Sequence, residues 1–232
     1  MGSGLNINIV KNEAHSCLGK LRMLMLKPDP IMTEARLRVG KILQMAQAGP
    51  GKKALLLGDG EGMLAGSLRR AGVEITWLEP APDGRTRGNS PLPSQGFKRM
   101  IGDLRRLPFE DEGLDLIASQ LTLEYQEDPA GLLAEWMRVL KKTGVLILVT
   151  SNGLFEGHQQ RPGPRAAHSF TLDELRNLLE PLGLKDIETC TLIPELKLPG
   201  LYRGDLSFYL RLAELPYFGT HGRLLFLKGV KG

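Results

Sequence analysis

The stretch Ala54–Leu68, ALLLGDGEGMLAGSL, sets Gly58, Gly60 and Gly62 on alternate positions, with the carboxylates Asp59 and Glu61 between them. An apolar run leads in and a helical pattern leads out. Strand, glycine turn and helix together are how many α/β proteins hold a nucleotide. A dinucleotide fingerprint requires G-x-G-x-x-G, and Met63 stands where its third glycine would be. Two acids in the loop would also repel a pyrophosphate. The electrostatics favour a ligand that lacks phosphates and carries positive charge, for which Asp59 and Glu61 help rather than hinder.

The elements that must position this loop alternate along the chain. A helix is expected from Pro30, capped by Asp29, with Ile31, Ala35, Val39, Ile42, Leu43 and Ala46 on one face and Gly49-Pro50 as its stop. KALLLG reads as a first strand, residues 62–71 as a helix, and VEITWLE as a second strand ending on Glu79. A Pro/Gly/Ser-rich loop fills 80–96, before strands in FKRMIGD and LDLIASQ. DPAGLLAEWMRVLKKTG predicts a helix capped by Asp128, and VLILVT a fifth strand. A long aperiodic loop follows, then a helix opened by the capping box Thr171 and Glu174, a sixth strand within 184–193, and a seventh in RLLFLKGVK.

Strands alternating with helices imply an α/β fold with a doubly wound, Rossmann-like sheet, mostly parallel. Ligands of such sheets bind beyond the carboxyl ends of the strands. The functional positions should therefore lie in the loops beginning at Gly58, Glu79, Gly102 and Gln120, and after Thr150. An N-terminal helical segment over residues 1–50 is expected to pack on a domain spanning 51–232, with an aromatic-rich insertion at about 195–222.

The G-x-G-x-G spacing, with an acid closing the next strand, resembles motif I of the class I S-adenosylmethionine-dependent methyltransferases. The run MIGDLRRLPFEDEGLDLIASQLTLEYQEDPAGLLAEWMRVLKKTGVLILVTSN is similar to the small-molecule, type 11 members of that class. The resemblance covers about residues 50–190 and implies seven strands with the last antiparallel. It also implies S-adenosylmethionine as cofactor, with Gly58, Asp59, Gly60, Glu61 and Gly62 forming its turn. Glu79 would take the ribose hydroxyls, and Asp103, with the Leu104 backbone amide, the adenine edge; Gln120 ends the fourth strand beside them. Two positions depart from the family pattern. Leu56 stands where an acid helps hold the methionyl end, and Tyr125 where a histidine usually follows the fourth strand.

Methyl transfer to oxygen or nitrogen needs a proton acceptor beside an aligned nucleophile. His158 and His168, in the loop after the fifth strand, are the candidate bases, and Tyr125 a candidate wall of the acceptor pocket. Each has a structural alternative: a surface histidine, a ring packed near Phe170, a packing tyrosine. Tyr202, Phe208, Tyr209, Tyr217 and Phe218 concentrate near the C-terminus, where they would lid an apolar acceptor, cover the sheet or form a dimer contact. Arg203 and Arg211 leave a lipid-like or acidic acceptor open.

The 232 residues carry a formal charge of +4 without a block of five or six like charges, and no basic stripe interleaved with aromatics. That composition disfavours nucleic acid as a partner. Cys17 and Cys190 form neither a disulfide framework nor a metal spacing, so no metal is expected. The absence of a long apolar run argues against a membrane span and for a cytoplasmic location. The expected activity is methyl transfer to a small-molecule acceptor. A non-catalytic, methyltransferase-like partner protein, an RNA methyltransferase and another reaction on this fold, such as aminopropyl transfer, are the alternatives.

Overall fold

A computed structural model describes residues 30–58, 62–80, 96–155, 168–192 and 222–232, with side chains from Glu34 onward. The expectations for Asp29, the Ile31 side chain, Asp59, Gly60, Glu61, His158 and nearly all of the aromatic-rich insertion fall outside these residues. The elements are α1 (Pro30–Ala46), β1 (Lys53–Leu57), α2 (Met63–Arg70), β2 (Glu74–Pro80), β3 (Lys98–Gly102) and β4 (Leu114–Gln120). They continue with a 3₁₀ turn (Leu123–Tyr125), α3 (Pro129–Val139), β5 (Leu140–Ser151), α4 (Leu172–Leu179), β6 (Leu184–Leu192) and β7 (Leu224–Lys231). The seven strands form one sheet in the order β3-β2-β1-β4-β5-β7-β6. β7 runs antiparallel to both neighbours and the remaining pairings are parallel, as expected.

The alternation of β1 separates two cores. Leu55 and Leu57 face the layer built by Leu132, Leu133 and Trp136 of α3 and by Leu175 and Leu179 of α4. Ala54 and Leu56 face the opposite layer, with Val39 and Ile42 of α1 and Leu64 and Leu68 of α2. A strand covered on both faces reads as a continuous apolar run, which is why ALLL carries no polar alternation. Asp128 caps α3 by accepting from the Gly131 amide at 2.9 Å, and Thr171 and Glu174 complete the capping box of α4.

One expectation needs correction. The helical pattern through Lys141-Lys142-Thr143-Gly144 ends at Val139, and β5 begins at Leu140. Leu140 pairs with Leu114 while Val145 pairs with Leu116, so five residues of β5 span two of β4. The surplus is absorbed where Thr143 turns to φ 62, the conformation a glycine takes more easily. Sheet pairing overrides the local helical preference of the lysines.

Asp115, at the amino-terminal edge of the sheet, accepts from the Lys53 amide at 3.0 Å and from Lys141 and Lys52 Nζ at 3.0 and 3.2 Å. Burial alone raises its pKa, but these three donors outweigh it and hold the carboxyl at about 2. A pKa depressed on folding adds stability above the unfolded value near 4, which is lost as pH falls through the folded value. The shift from the ordinary 3.8 to about 2 corresponds to about 2 kcal/mol. Asp115→Asn should lower the urea-unfolding free energy by about that amount at pH 7 and by less than half of it at pH 2.5. An equal loss at both pH values would contradict the ionic origin.

Candidate functional site

Strand register assembles the site. Leu57 pairs with Leu78 on one side and Ser119 on the other, so the next residues, Glu79 and Gln120, flank Gly58 at the carboxyl edge. Gly58 has φ 74, and a Cβ there would lie 2.0 Å from the Gln120 backbone oxygen and 2.6 Å from Thr122 Oγ1. Glycine is required by conformation and by contact alike. Gly62, at φ 65, turns the chain into α2.

Glu79 is held by a residue that motif reading did not single out. Arg99 on β3 binds its carboxylate with both arms of the guanidinium, Nη2 to Oε2 at 2.8 Å and Nε to Oε1 at 3.1 Å. The Arg99 guanidinium lies 5.4 Å from the Trp77 ring centroid, a cation–π arrangement. The Glu79 hydrogen bond, then its charge, raise the guanidinium's pKa. Two-point binding leaves the remaining lone pairs of Glu79 able to accept other donors. Ile101, the register partner of Glu79, is 64% exposed and supplies an apolar surface beside it.

Asp103 has the geometry of an acid serving its own turn. It accepts from the Arg105 amide at 2.9 Å and from Arg105 Nε at 3.2 Å, and the amide chiefly holds its carboxyl below the ordinary range. Leu104 is buried, and its carbonyl accepts from Trp136 Nε1 at 3.2 Å. The segment is pinned further from α3. The Leu107 amide donates to Glu135 at 2.7 Å, and Arg138 reaches the Phe109 and Leu107 carbonyls.

Beyond β4 the structure brings Tyr125 and His168 together around a residue outside the sequence-derived set, Glu124. Its backbone carbonyl accepts from the His168 amide at 3.0 Å, and its Oε1 accepts from the Ser151 amide at 2.7 Å. Glu124 is only 3% exposed and its Oε2 has no hydrogen-bond partner among the described residues. Burial is the largest influence on this carboxyl and pushes its pKa up. Tyr125 is 67% exposed, and the exposed His168 sets its ring edge-on to Phe170, centroids 4.4 Å apart. Glu124 was legible only as an acid next to an apolar residue in a turn, a pattern that does not distinguish buried acids from solvated ones.

Leu56, at the position where the family has an acid, is completely buried on the face covered by α1 and α2. Gln120 is buried at the end of β4, and its Oε1 accepts from Arg38 Nε of α1 at 2.8 Å. Arg38 also pairs with Glu34, which in turn pairs with Arg223 just before β7. Among the described residues no group of three metal-ligating side chains converges, and no helix is long and apolar enough to cross a membrane.

A family model described as a methyltransferase domain matches residues 55–148. The malonyl-[acyl-carrier protein] O-methyltransferase of Serratia marcescens is 27% identical over 135 residues, covering 56% of this chain and 52% of that protein. An uncharacterized methyltransferase of Mycobacterium sp. (strain JLS) is 30% identical over 128 residues, covering 52% and 50%. The chain thus spans about half the length of these curated relatives. Among solved structures, an S-adenosylmethionine-dependent methyltransferase from Mesorhizobium loti superposes with a TM-score of 0.61 at 18% identity, over 86% of this chain and 100% of that one. That likeness extends the shared fold well beyond the matched segment. Residues 55–148 thus resemble the methyltransferase-domain family, and the fold of the described residues is similar to that of the Mesorhizobium loti enzyme.

Proposed function

We propose that the chain is an S-adenosylmethionine-dependent methyltransferase acting on a small-molecule acceptor. The observation that carries this reading is the placement of Gly58 between Glu79 and Gln120 at the carboxyl edge of a seven-stranded sheet, inside the matched methyltransferase segment. The donor set suits the cofactor: carboxylates and guanidinium groups line the edge, matching a zwitterionic sulfonium without phosphates. When bound, S-adenosylmethionine supplies a methyl group already activated on sulfur.

The chain's own residues then bind and orient. Glu79, fixed by Arg99, accepts the ribose hydroxyls, and the exposed Ile101 lies where a purine face can rest. Asp103 and the Leu104 amide address the adenine edge, with Asp103 trading its bond to the Arg105 side chain for the ligand. The sequence of the glycine turn carries Asp59 and Glu61, acids that suit a positive sulfonium. His168 is the favoured base over His158, because its neighbours Tyr125 and Glu124 bring it to the end of β4. The malonyl-[acyl-carrier protein] O-methyltransferase likeness is compatible with an acidic small-molecule acceptor.

Calorimetric titration with S-adenosylhomocysteine tests the reading. Micromolar binding is expected, and Glu79→Ala should weaken it by about 1.5–3 kcal/mol, the worth of a charge-assisted hydrogen bond. Folded protein without measurable affinity would instead favour the non-catalytic alternative, for which the buried Leu56 is the specific observation.

A further inference from the structure

We propose that Glu124 selects the acceptor, and that the acceptor is a small apolar amine whose ammonium group pairs with the Glu124 carboxylate. This rests on the cofactor reading above. Glu124 sits in the 3₁₀ turn after β4, at the carboxyl edge where ligands of such sheets bind. Its side chain turns inward, with Oε1 accepting from the Ser151 amide at the end of β5. Oε2 is buried and has no hydrogen-bond partner among the described residues. Thr150, the residue before Ser151, is 1% exposed, and its Oγ1 is likewise buried without a partner among them. The hydroxyl is near enough to favour the charged carboxylate but does not reach it in hydrogen-bond geometry. Buried carboxylates are ordinarily paired and buried hydroxyls ordinarily bonded, so this corner has two acceptors and no donor for them.

The group that completes the corner is a cation with several N–H donors. An ammonium group supplies one donor for Oε2 and another for Thr150 Oγ1, while its charge neutralises the carboxylate. A carboxylate ligand would meet Glu124 as a like charge, and an alcohol brings one donor and no charge. The surroundings supply the apolar part. Among the described residues the exposed large hydrophobic side chains are Ile101, Tyr125 and Leu154, and all three lie at the carboxyl edge, at or just beyond the ends of β3, β4 and β5. Tyr125 adjoins Glu124 in the chain. Leu154 is linked to it through the backbone: the Gly153 amide donates to the Phe170 carbonyl, and the His168 amide to the Glu124 carbonyl. Aromatic rings at Tyr125 and in the His168–Phe170 pair suit a cation on an apolar stem. Because Glu124 is 3% exposed, the ammonium reaches it only as the turn carrying Tyr125 gives way, a cost that the ion pair offsets.

Benzylamine, benzyl alcohol and benzoate test this as matched probes, one ring with three head groups. Titrated into protein with excess S-adenosylhomocysteine, benzylamine should bind with a dissociation constant below about 1 mM, and about 10-fold or more tighter than the other two. Glu124→Gln should abolish that preference and change S-adenosylhomocysteine affinity by less than about 3-fold. Thermal melting checks that the variant is folded. Should it not fold, Tyr125→Ala, at an exposed position, still reports: benzylamine should bind about 3-fold more weakly at an unchanged melting temperature. Equal affinity for benzylamine and benzyl alcohol, a preference for benzoate, or no binding of any probe would overturn the inference. So would a benzylamine preference retained in Glu124→Gln, or Tyr125→Ala without effect. Wild-type protein that binds benzylamine but not S-adenosylhomocysteine overturns the cofactor reading instead, so the two failures are distinct.

Discussion

Gly58→Ala is expected to destabilise the fold by about 3 kcal/mol or more and to reduce S-adenosylhomocysteine affinity over 100-fold. Two costs combine. A residue with a Cβ pays about 1–2 kcal/mol to hold a left-handed conformation such as φ 74. The new carbon would also lie 2.0 Å from the Gln120 backbone oxygen, so β1 and β4 must separate at the edge proposed to bind the cofactor. Backbone, unlike the end of a flexible side chain, cannot swing aside. Gly66 provides the control, because a Cβ there meets nothing closer than Arg70 Nη1 at 3.8 Å in the middle of α2. Gly66→Ala should stabilise the protein by about 0.5–1 kcal/mol through helix propensity. Urea unfolding and calorimetric binding read both variants. A Gly58→Ala protein of native stability would mean the turn does not take this conformation.

Trp136→Ala should cost about 3–5 kcal/mol, the range for emptying a buried aromatic site. Its ring is completely buried in the core cluster that also holds Leu55 and Leu57 of β1 and Leu175 and Leu179 of α4, and its Nε1 donates to the Leu104 carbonyl at 3.2 Å. The informative partner is Trp136→Phe. It keeps most of the apolar contact but orphans the Leu104 carbonyl, a loss of about 1–3 kcal/mol. Because Leu104 follows Asp103, that variant should weaken nucleoside binding several-fold at temperatures where the protein is fully folded. Unchanged affinity in Trp136→Phe would show that Glu135 and Arg138 suffice to hold the segment through Leu107 and Phe109.

The two predictions share a cause. The residues proposed to meet the ligand lie at strand ends and in loops, and a loop is only as well placed as the packed elements behind it. Gly58 depends on the close approach of β4, and the Asp103–Leu104 segment depends on hydrogen bonds from three residues within about one turn of α3, Glu135, Trp136 and Arg138. Glu79 depends on Arg99, twenty residues away in sequence and one strand away in space.

Much of the architecture was readable from residues alone, because the signals involved are local. Apolar runs of four or five residues, helix caps at Asp128 and Thr171, and glycines after elements such as the first strand and the helix that follows it report on neighbours within a turn or two of the chain. The alternation of these elements led to the sheet, and G-x-G-x-G with Glu79 pointed to its carboxyl edge as the proposed ligand site. The boundary at Leu140 was not readable, since Lys141-Lys142-Thr143 suits a helix and only pairing with β4 makes it strand. Polar partnerships were hidden for the same reason. Arg38 meets Gln120 across 82 positions, and Glu124 meets Ser151 across 27. Hydrophobic periodicity encodes which face of an element is buried, and so determines the fold. It carries nothing about the register between faces, and register decides which charges meet. Here that choice put Arg38 of α1 against Gln120, at the end of β4 beside Gly58.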